Sequence, residues 1–266
     1  MHRWLVLISV YTLSAVVFSQ TLSSGDLPKP GVAPTTGTWN YKEQVARPQR
    51  GLAAMVGPQG TYTPTYSLTI KDGGAVWTVT THWDFAEGPV NDVVTLDKGT
   101  LILRKEVFTH FLHPDQTWKP VRIELDFVGN KVKGTMKFVG HPDKPVADNL
   151  SAPVFALGAT DITVACLPLT AGYATTIRTF DIEKQALDRP HKEKLLQVNV
   201  VGSERVSVPA GTFDTYKVEL ISDHGTDKET LWIAKDTRVP VKTHEVQVYG
   251  NGPKQNTVTS TMELVP

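Results

Sequence analysis

From Val121 to Phe138 the chain alternates apolar and polar residues about a midpoint at Gly129-Asn130. A two-residue loop there pairs Phe127 with Val132, Leu125 with Gly134, Ile123 with Met136 and Val121 with Phe138. The other face pairs Asp126 with Lys133 and Glu124 with Thr135, and Arg122 opposite Lys137 is the one unfavourable pair. Successive side chains of a strand point to opposite faces, so this pattern describes an antiparallel hairpin with one dry and one wet face. A slip of one residue would turn every apolar side chain to water, which fixes the register. A hairpin of this kind must be part of a larger sheet that covers its dry face.

The same period recurs along the chain. Tyr66, Leu68 and Ile70 lead to Asp72-Gly73, and Trp77, Val79, Thr81, Trp83 and Phe85 follow. An Asp-Gly loop favours a two-residue hairpin, which pairs Ile70 with Ala75, Leu68 with Trp77 and Tyr66 with Val79. Residues 101–112 read as a long strand, stopped by His113-Pro114-Asp115. Asp148 to Pro153 carries a cap residue and an early proline, the signals of a helix start, with the helix running over 154–167. Further strands are expected near 173–182, 194–201, 215–222, 229–234, 239–248 and 257–264. The expected fold is mainly β: about ten strands in a large curved antiparallel sheet, a half-barrel or open barrel, with one helix packed on it.

The N-terminus begins Met1-His2-Arg3, then runs apolar from Trp4 to Phe18. That run is shorter than the roughly 20 residues a spanning helix needs. With small residues before a cut after Ser19, residues 1–19 read as a secretory signal peptide, and the protein as exported to the periplasm or cell exterior. Residues 20–58, rich in Pro, Gly, Ser and Thr, read as an extended or disordered lead-in whose Trp39 and Tyr41 dock on the domain. Residues 59–266 then form a single β-rich domain. With Arg3 removed, the 27 Lys and Arg of the full chain fall one short of its 27 Asp and Glu. Such a balance gives no field to steer nucleic acid. No second apolar run is long enough for a transmembrane segment. The single cysteine, Cys166, excludes an internal disulfide, and its apolar neighbours describe a buried, inert thiol.

Near the C-terminus the chain reads Val-Pro-Ala-Gly-Thr-Phe over 208–213, then Leu231-Trp232-Ile233-Ala234-Lys235-Asp236-Thr237-Arg238-Val239-Pro240-Val241-Lys242. Pro209 presets φ for a turn, Gly211 supplies permissive backbone, Phe213 and Tyr216 pack, Asp236 and Arg238 flank a turn as an ion pair, and Pro240 ends or edges a strand. These residues specify a β-meander. They also resemble a bacterial exported family of unknown function, and the likeness runs over residues 60–265. That family is similar to the periplasmic lipoprotein-carrier superfamily, whose members curl an antiparallel sheet around an apolar cavity. The resemblance implies a fold and carries no catalytic residues. This chain departs from the carriers in having one helix where they use several.

Catalytic and metal signatures are sparse. His-Glu-x-x-His, Gly-x-Ser-x-Gly and phosphate-loop motifs are absent. His110 and His113 lie three apart on a strand and so face opposite sides, which argues against a metal site. A hydrolase would have to use His82 with Asp84, or Glu124 with Asp126. No cofactor is implied. The aromatic residues Trp77, Trp83, Phe85, Phe108, Phe127, Phe138, Phe155 and Trp232 fall on strands or the helix. On a sheet that closes halfway they would line a groove suited to a hydrophobic or lipid-like ligand. The expectation is a non-enzymatic binding protein, with an envelope scaffold or protein-interaction module as the alternative and a hydrolase third.

Overall fold

A computed structural model describes residues 27–46, 61–62, 65–85, 88–110, 120–186, 192–222, 227–249 and 256–266. The signal-peptide reading, and His113, His191 and His224, lie outside these residues.

The strands are β1 (Gly37–Ala46), β2 (Thr61–Tyr62), β3 (Thr65–Asp72), β4 (Val76–Phe85), β5 (Gly88–Asp97), β6 (Leu103–His110), β7 (Arg122–Val128) and β8 (Lys131–Lys137). They continue as β9 (Lys144–Asn149), β10 (Phe155–Ala156), β11 (Ala174–Phe180), β12 (Glu193–Val208), β13 (Gly211–Ser222), β14 (Lys228–Ala234), β15 (Pro240–Tyr249) and β16 (Asn256–Val265). Two short helices, α1 (Thr160–Ala165) and α2 (Ile182–Ala186), interrupt the series. All sixteen strands belong to one sheet, ordered β10-β11-β12-β13-β14-β15-β16-β1-β3-β4-β5-β6-β7-β8-β9, with β2 on β1. Among the described residues only the short β10–β11 pair is parallel.

The sheet curls until its ends face each other, yet β9 and β10 do not pair, so the barrel stays open. Side chains bridge this seam. Lys192 lies 2.9 Å from Asp148, and Glu193 accepts the Ser151 N–H at 3.0 Å. Inside, the rings of Phe127 on β7 and Phe180 on β11 meet edge to face at 5.1 Å. Apolar residues from nearly every strand form one core, which α1 enters: Thr160, Ile162, Thr163, Val164 and Ala165 are all buried. One end of the barrel is sealed. There Gly31 and Val32 donate to the Cys166 carbonyl at 2.7 and 3.2 Å, and Leu103 donates to Val154 at 2.9 Å.

The β7–β8 hairpin has the expected register, Ile123 opposite Met136 and Phe127 opposite Val132, around Gly129 at φ 61°. The β3–β4 hairpin differs. Ile70 faces Val79 and Leu68 faces Thr81. Asp72 Oδ1 accepts the Gly74 N–H at 2.8 Å and Gly73 N–H donates to Val76 O at 2.9 Å, which enlarges the turn beyond two residues. The shift is even-numbered, so the apolar face is kept. Leu101 takes φ 60° in the β5–β6 turn, so β6 begins at Leu103.

Three expectations are corrected. Among the described residues the strands number sixteen, where about ten were expected. The sheet takes in Gly37–Ala46 from the expected lead-in: β1 sits between β16 and β3 and pairs with both. Its Trp39, Tyr41 and Val45 alternate with polar residues, a period masked by the surrounding Pro and Gly. The helix over 154–167 is cut to α1, because Phe155 and Ala156 pair with Thr179 and Phe180 instead. The β-branched run Ile162-Thr163-Val164 is helical despite its propensity.

Candidate functional site

The inner face changes character along the barrel. One row of inward side chains comprises Tyr66, Asp92, Phe108, Ile123, Met136, Leu196, Leu220, Leu231 and Thr243, and all are buried. One step toward the far end of their strands, Trp83, Val90, His110, Val121, Phe138, Glu43, Ser260, Glu245, Glu229 and Lys194 are only half-buried. At this end, the mouth, formed by the starts of β3, β5, β7, β12, β14 and β16, the described inward side chains are less buried than those of the packed interior. At the opposite end Trp77, Leu96, Leu103, Phe127 and Val132 are buried, while Trp39 and Thr175, in phase with Tyr41 and Ile177, are half-buried.

The mouth has two unlike arcs. Trp83, Val90, Val121 and Phe138 form an arc that is apolar but for His110, the cross-strand partner of Val90, and the Trp83 ring lies tilted at 5.2 Å from Tyr66. Across from it lies an acidic arc. Glu229 on β14 is the direct cross-strand partner of Glu245 on β15, and Glu245 is the partner of Ser260 on β16. Ser260 Oγ donates to Glu43, and Gln247 Nε2 donates to Glu245 at 2.6 Å. Burial, then the neighbouring carboxylates of Glu245 and Asp161, hold Glu229 well above the usual carboxylate range. Burial also raises Glu245; Asp227 and Glu43 add to this, while Gln247 and Lys194 oppose it. Asp161 on α1 forms the floor, and burial pushes it up to about 6 against the Ile162 N–H it accepts at 2.9 Å. Its charge reaches Tyr41 and Tyr66, whose hydroxyls burial raises first of all. These side chains keep some exposure to solvent although protein surrounds them. Lys194 is the inward cation here, held at 3.3 Å by Asp181.

The aromatic residues singled out from sequence separate. Trp77, Phe108, Phe127 and Phe155 are core. Trp83 and Phe138 reach the mouth. Trp232 faces outward, its Nε1 donating to Glu204 at 2.6 Å with Lys217 and Lys242 over its ring at 5.4 and 5.8 Å. The Phe85 side chain lies outside the described residues. The acidic arc was missed, although its signal was present: Glu43, Glu229 and Glu245 stand in phase with Tyr41, Leu231 and Thr243, at inward positions where the period predicts apolar groups.

The other chemical candidates fall apart on the outer face. His82 bonds Asn91 at 2.7 Å and Asp84 is exposed. Glu124 pairs with Lys105 at 2.5 Å and Arg122 at 3.1 Å, which lower its pKa, and Asp126 lies 3.9 Å from Lys105. Burial pushes the Cys166 thiol up to about 12. Among the described residues no three His, Cys, Asp or Glu could hold a metal ion, and no helix is long and apolar enough to cross a membrane.

The C-terminal motif builds the wall of the barrel. Pro209 and Ala210 form the β12–β13 loop, with Val208 opposite Gly211 at φ 142°. Phe213 packs on the core. Arg238, at φ 57°, lies 4.9 Å over the Tyr216 ring and donates to Leu167 O at 3.4 Å rather than pairing with Asp236. Asp236 instead accepts the Thr237 N–H at 2.8 Å. Pro240 opens β15, where its missing N–H costs nothing, and its carbonyl accepts the buried Tyr41 hydroxyl at 2.9 Å.

Residues 58–257 match the family model described as Protein of unknown function (DUF3108). The chain belongs to this family. A DUF3108 protein is thus one whose family description assigns no activity. Two solved structures resemble it in outline. The beta-barrel-like protein of domain of unknown function DUF1849 from Brucella abortus is 9% identical, covers 88% of this chain and 100% of its own, and gives a TM-score of 0.48. A protein with a YmcC-like fold from Bacteroides fragilis, provisionally described as exported, is 13% identical, with 89% and 97% covered and a TM-score of 0.34. A comparison with curated proteins gave no match.

Proposed function

We propose that this DUF3108 protein is an exported, non-enzymatic binding protein that takes an apolar or lipid-like small molecule at the open end of its curled sheet. The observation that carries this reading is the band of inward side chains, from Trp83 round to Lys194, that stay half-buried at the mouth over a packed interior. Apolar surface left half-solvated in a concavity is the usual setting for a ligand. The site is the mouth rather than the whole concave face, because α1 and the core aromatics fill the interior. The signal-like N-terminus supports export, and the curled sheet fits the likeness to the lipoprotein carriers.

The test is titration of the full-length protein with the uncharged dye N-phenyl-1-naphthylamine. Saturable fluorescence enhancement is expected, weakened about tenfold by Val90→Glu, which places a charge in the apolar arc. Absence of saturable binding would overturn the reading.

A further inference from the structure

The mouth contrasts an apolar arc with a carboxylate arc, and this contrast indicates the kind of head group it accepts. Glu43, Glu229, Glu245, Asp227 and Asp161 act on one another through the interior. One inward lysine, Lys194, faces them and is already engaged by Asp181. A cationic head group would offset the burial that disfavours the charged forms of Glu229 and Glu245, which an anionic one would not.

A second observation comes from β13. Val218, Leu220 and Ser222 point inward in turn, and Leu220 is the cross-strand partner of Glu229. Ser222 therefore sits one inward position beyond Glu229, beside Asp227, whose carbonyl accepts the Ser222 N–H at 3.2 Å. The Ser222 side chain is 7% exposed, and its Oγ has no hydrogen-bond partner. A buried hydroxyl normally finds a partner. Here it faces into the acidic arc, as an oxygen able to accept from an N–H donor.

We infer that the mouth selects an amphiphile whose protonated amine meets Glu229, Glu245 and Ser222 while its apolar body lies along Trp83, Val90 and Phe138. This rests on the reading of the mouth as a binding site. A bare metal ion does not fit, since among the described residues no three such groups converge on one point. An alkylammonium does fit. It has three N–H donors for separate oxygens, and its charge relieves the repulsion between opposed carboxylates.

The experiment displaces N-phenyl-1-naphthylamine from the full-length protein with decylamine, 1-decanol and decanoate, all below micelle-forming concentrations. Decylamine is expected to displace at a concentration about tenfold below decanoate, with decanol between them, as one charge-assisted hydrogen bond implies. The isosteric Glu229→Gln/Glu245→Gln double variant is expected to lose that preference and keep its response to decanol, with its fold checked by circular dichroism. Decanoate displacing as well as decylamine would overturn the amine inference and leave the mouth as a site. A double variant that keeps the amine preference would likewise overturn it. Failure of the dye and all three decyl compounds to bind would overturn the mouth reading itself.

Discussion

Glu229 and Glu245 stand directly opposite each other on β14 and β15, both on the inner face of the sheet. Like charges at such a pair destabilise a sheet. Burial adds to the effect by disfavouring the charged forms. Functional sites are where a fold commonly breaks such local rules. Glu229→Gln is therefore expected to raise stability at pH 8 by on the order of 1 kcal/mol. At pH 4, where both carboxyls are protonated, the gain should shrink. Thermal unfolding at the two pH values measures it; a loss of stability at pH 8 would mean that the carboxylate is held by a favourable contact.

Asp161 gives a pH dependence of defined sign. Its folded pKa, raised by burial to about 6, exceeds the unfolded value of 3.8. The folded state thus holds a proton that the unfolded state has lost between those values. The stability this group contributes is full below pH 3.8 and declines as pH rises through 6. Asp161→Asn should flatten the fall between pH 4 and pH 7 and stabilise the protein above it, by roughly 1–3 kcal/mol. Urea titrations across that window test this. An unchanged slope would assign the pH dependence to Glu229 and Glu245 alone.

Gly134 lies where no side chain fits. A Cβ built there would come within 1.9 Å of the Glu124 carbonyl oxygen on the paired strand. Gly134→Ala must push β7 and β8 apart at the centre of their hairpin and should cost several kcal/mol, in the upper range of single substitutions. Gly202→Ala, at the β12 bulge with nothing within 4 Å, is the control and should be nearly neutral. Urea midpoints of the two variants should differ widely.

How much of this was legible depended on whether local pattern or distant pairing decided the outcome. The β7–β8 hairpin could be read to the residue because Gly129 and the alternation agreed. The β3–β4 register could not, because one side-chain bond from Asp72 enlarged the turn. The helix start at Asp148 failed because β10 found a partner in β11, a pairing between residues far apart in sequence that no local signal announces. At the site, the aromatic residues were visible but not which end of the barrel each would occupy. Trp77 and Trp83 share a face of β4, yet one seals the bottom and the other opens on the mouth. Trp232 is out of phase with Leu231 and Ile233, so its outward direction was readable from alternation alone.

β1 supplies the sharpest test of the domain boundary. The first 58 residues look dispensable by composition, but Gly37–Ala46 occupies the middle of the sheet and pairs on both edges. Tyr41 is 1% exposed, stacks on Tyr66 at 5.3 Å and donates its hydroxyl to Pro240 O at 2.9 Å. Removing only that hydroxyl leaves a buried carbonyl without its donor, so Tyr41→Phe should cost about 1–3 kcal/mol. Tyr41→Ala adds a large cavity and should cost about 3–5 kcal/mol. Deleting residues through 46 would strip β3 and β16 of their shared neighbour and split the sheet, exposing two long hydrogen-bonding edges. Such a truncation should give aggregated or unfolded protein, whereas one that stops before 27 should leave the described fold intact. Limited proteolysis and size-exclusion chromatography of the two truncations distinguish them. A folded, monomeric protein lacking β1 would show that the barrel tolerates a break at its centre and that Tyr41 contributes less than its burial implies.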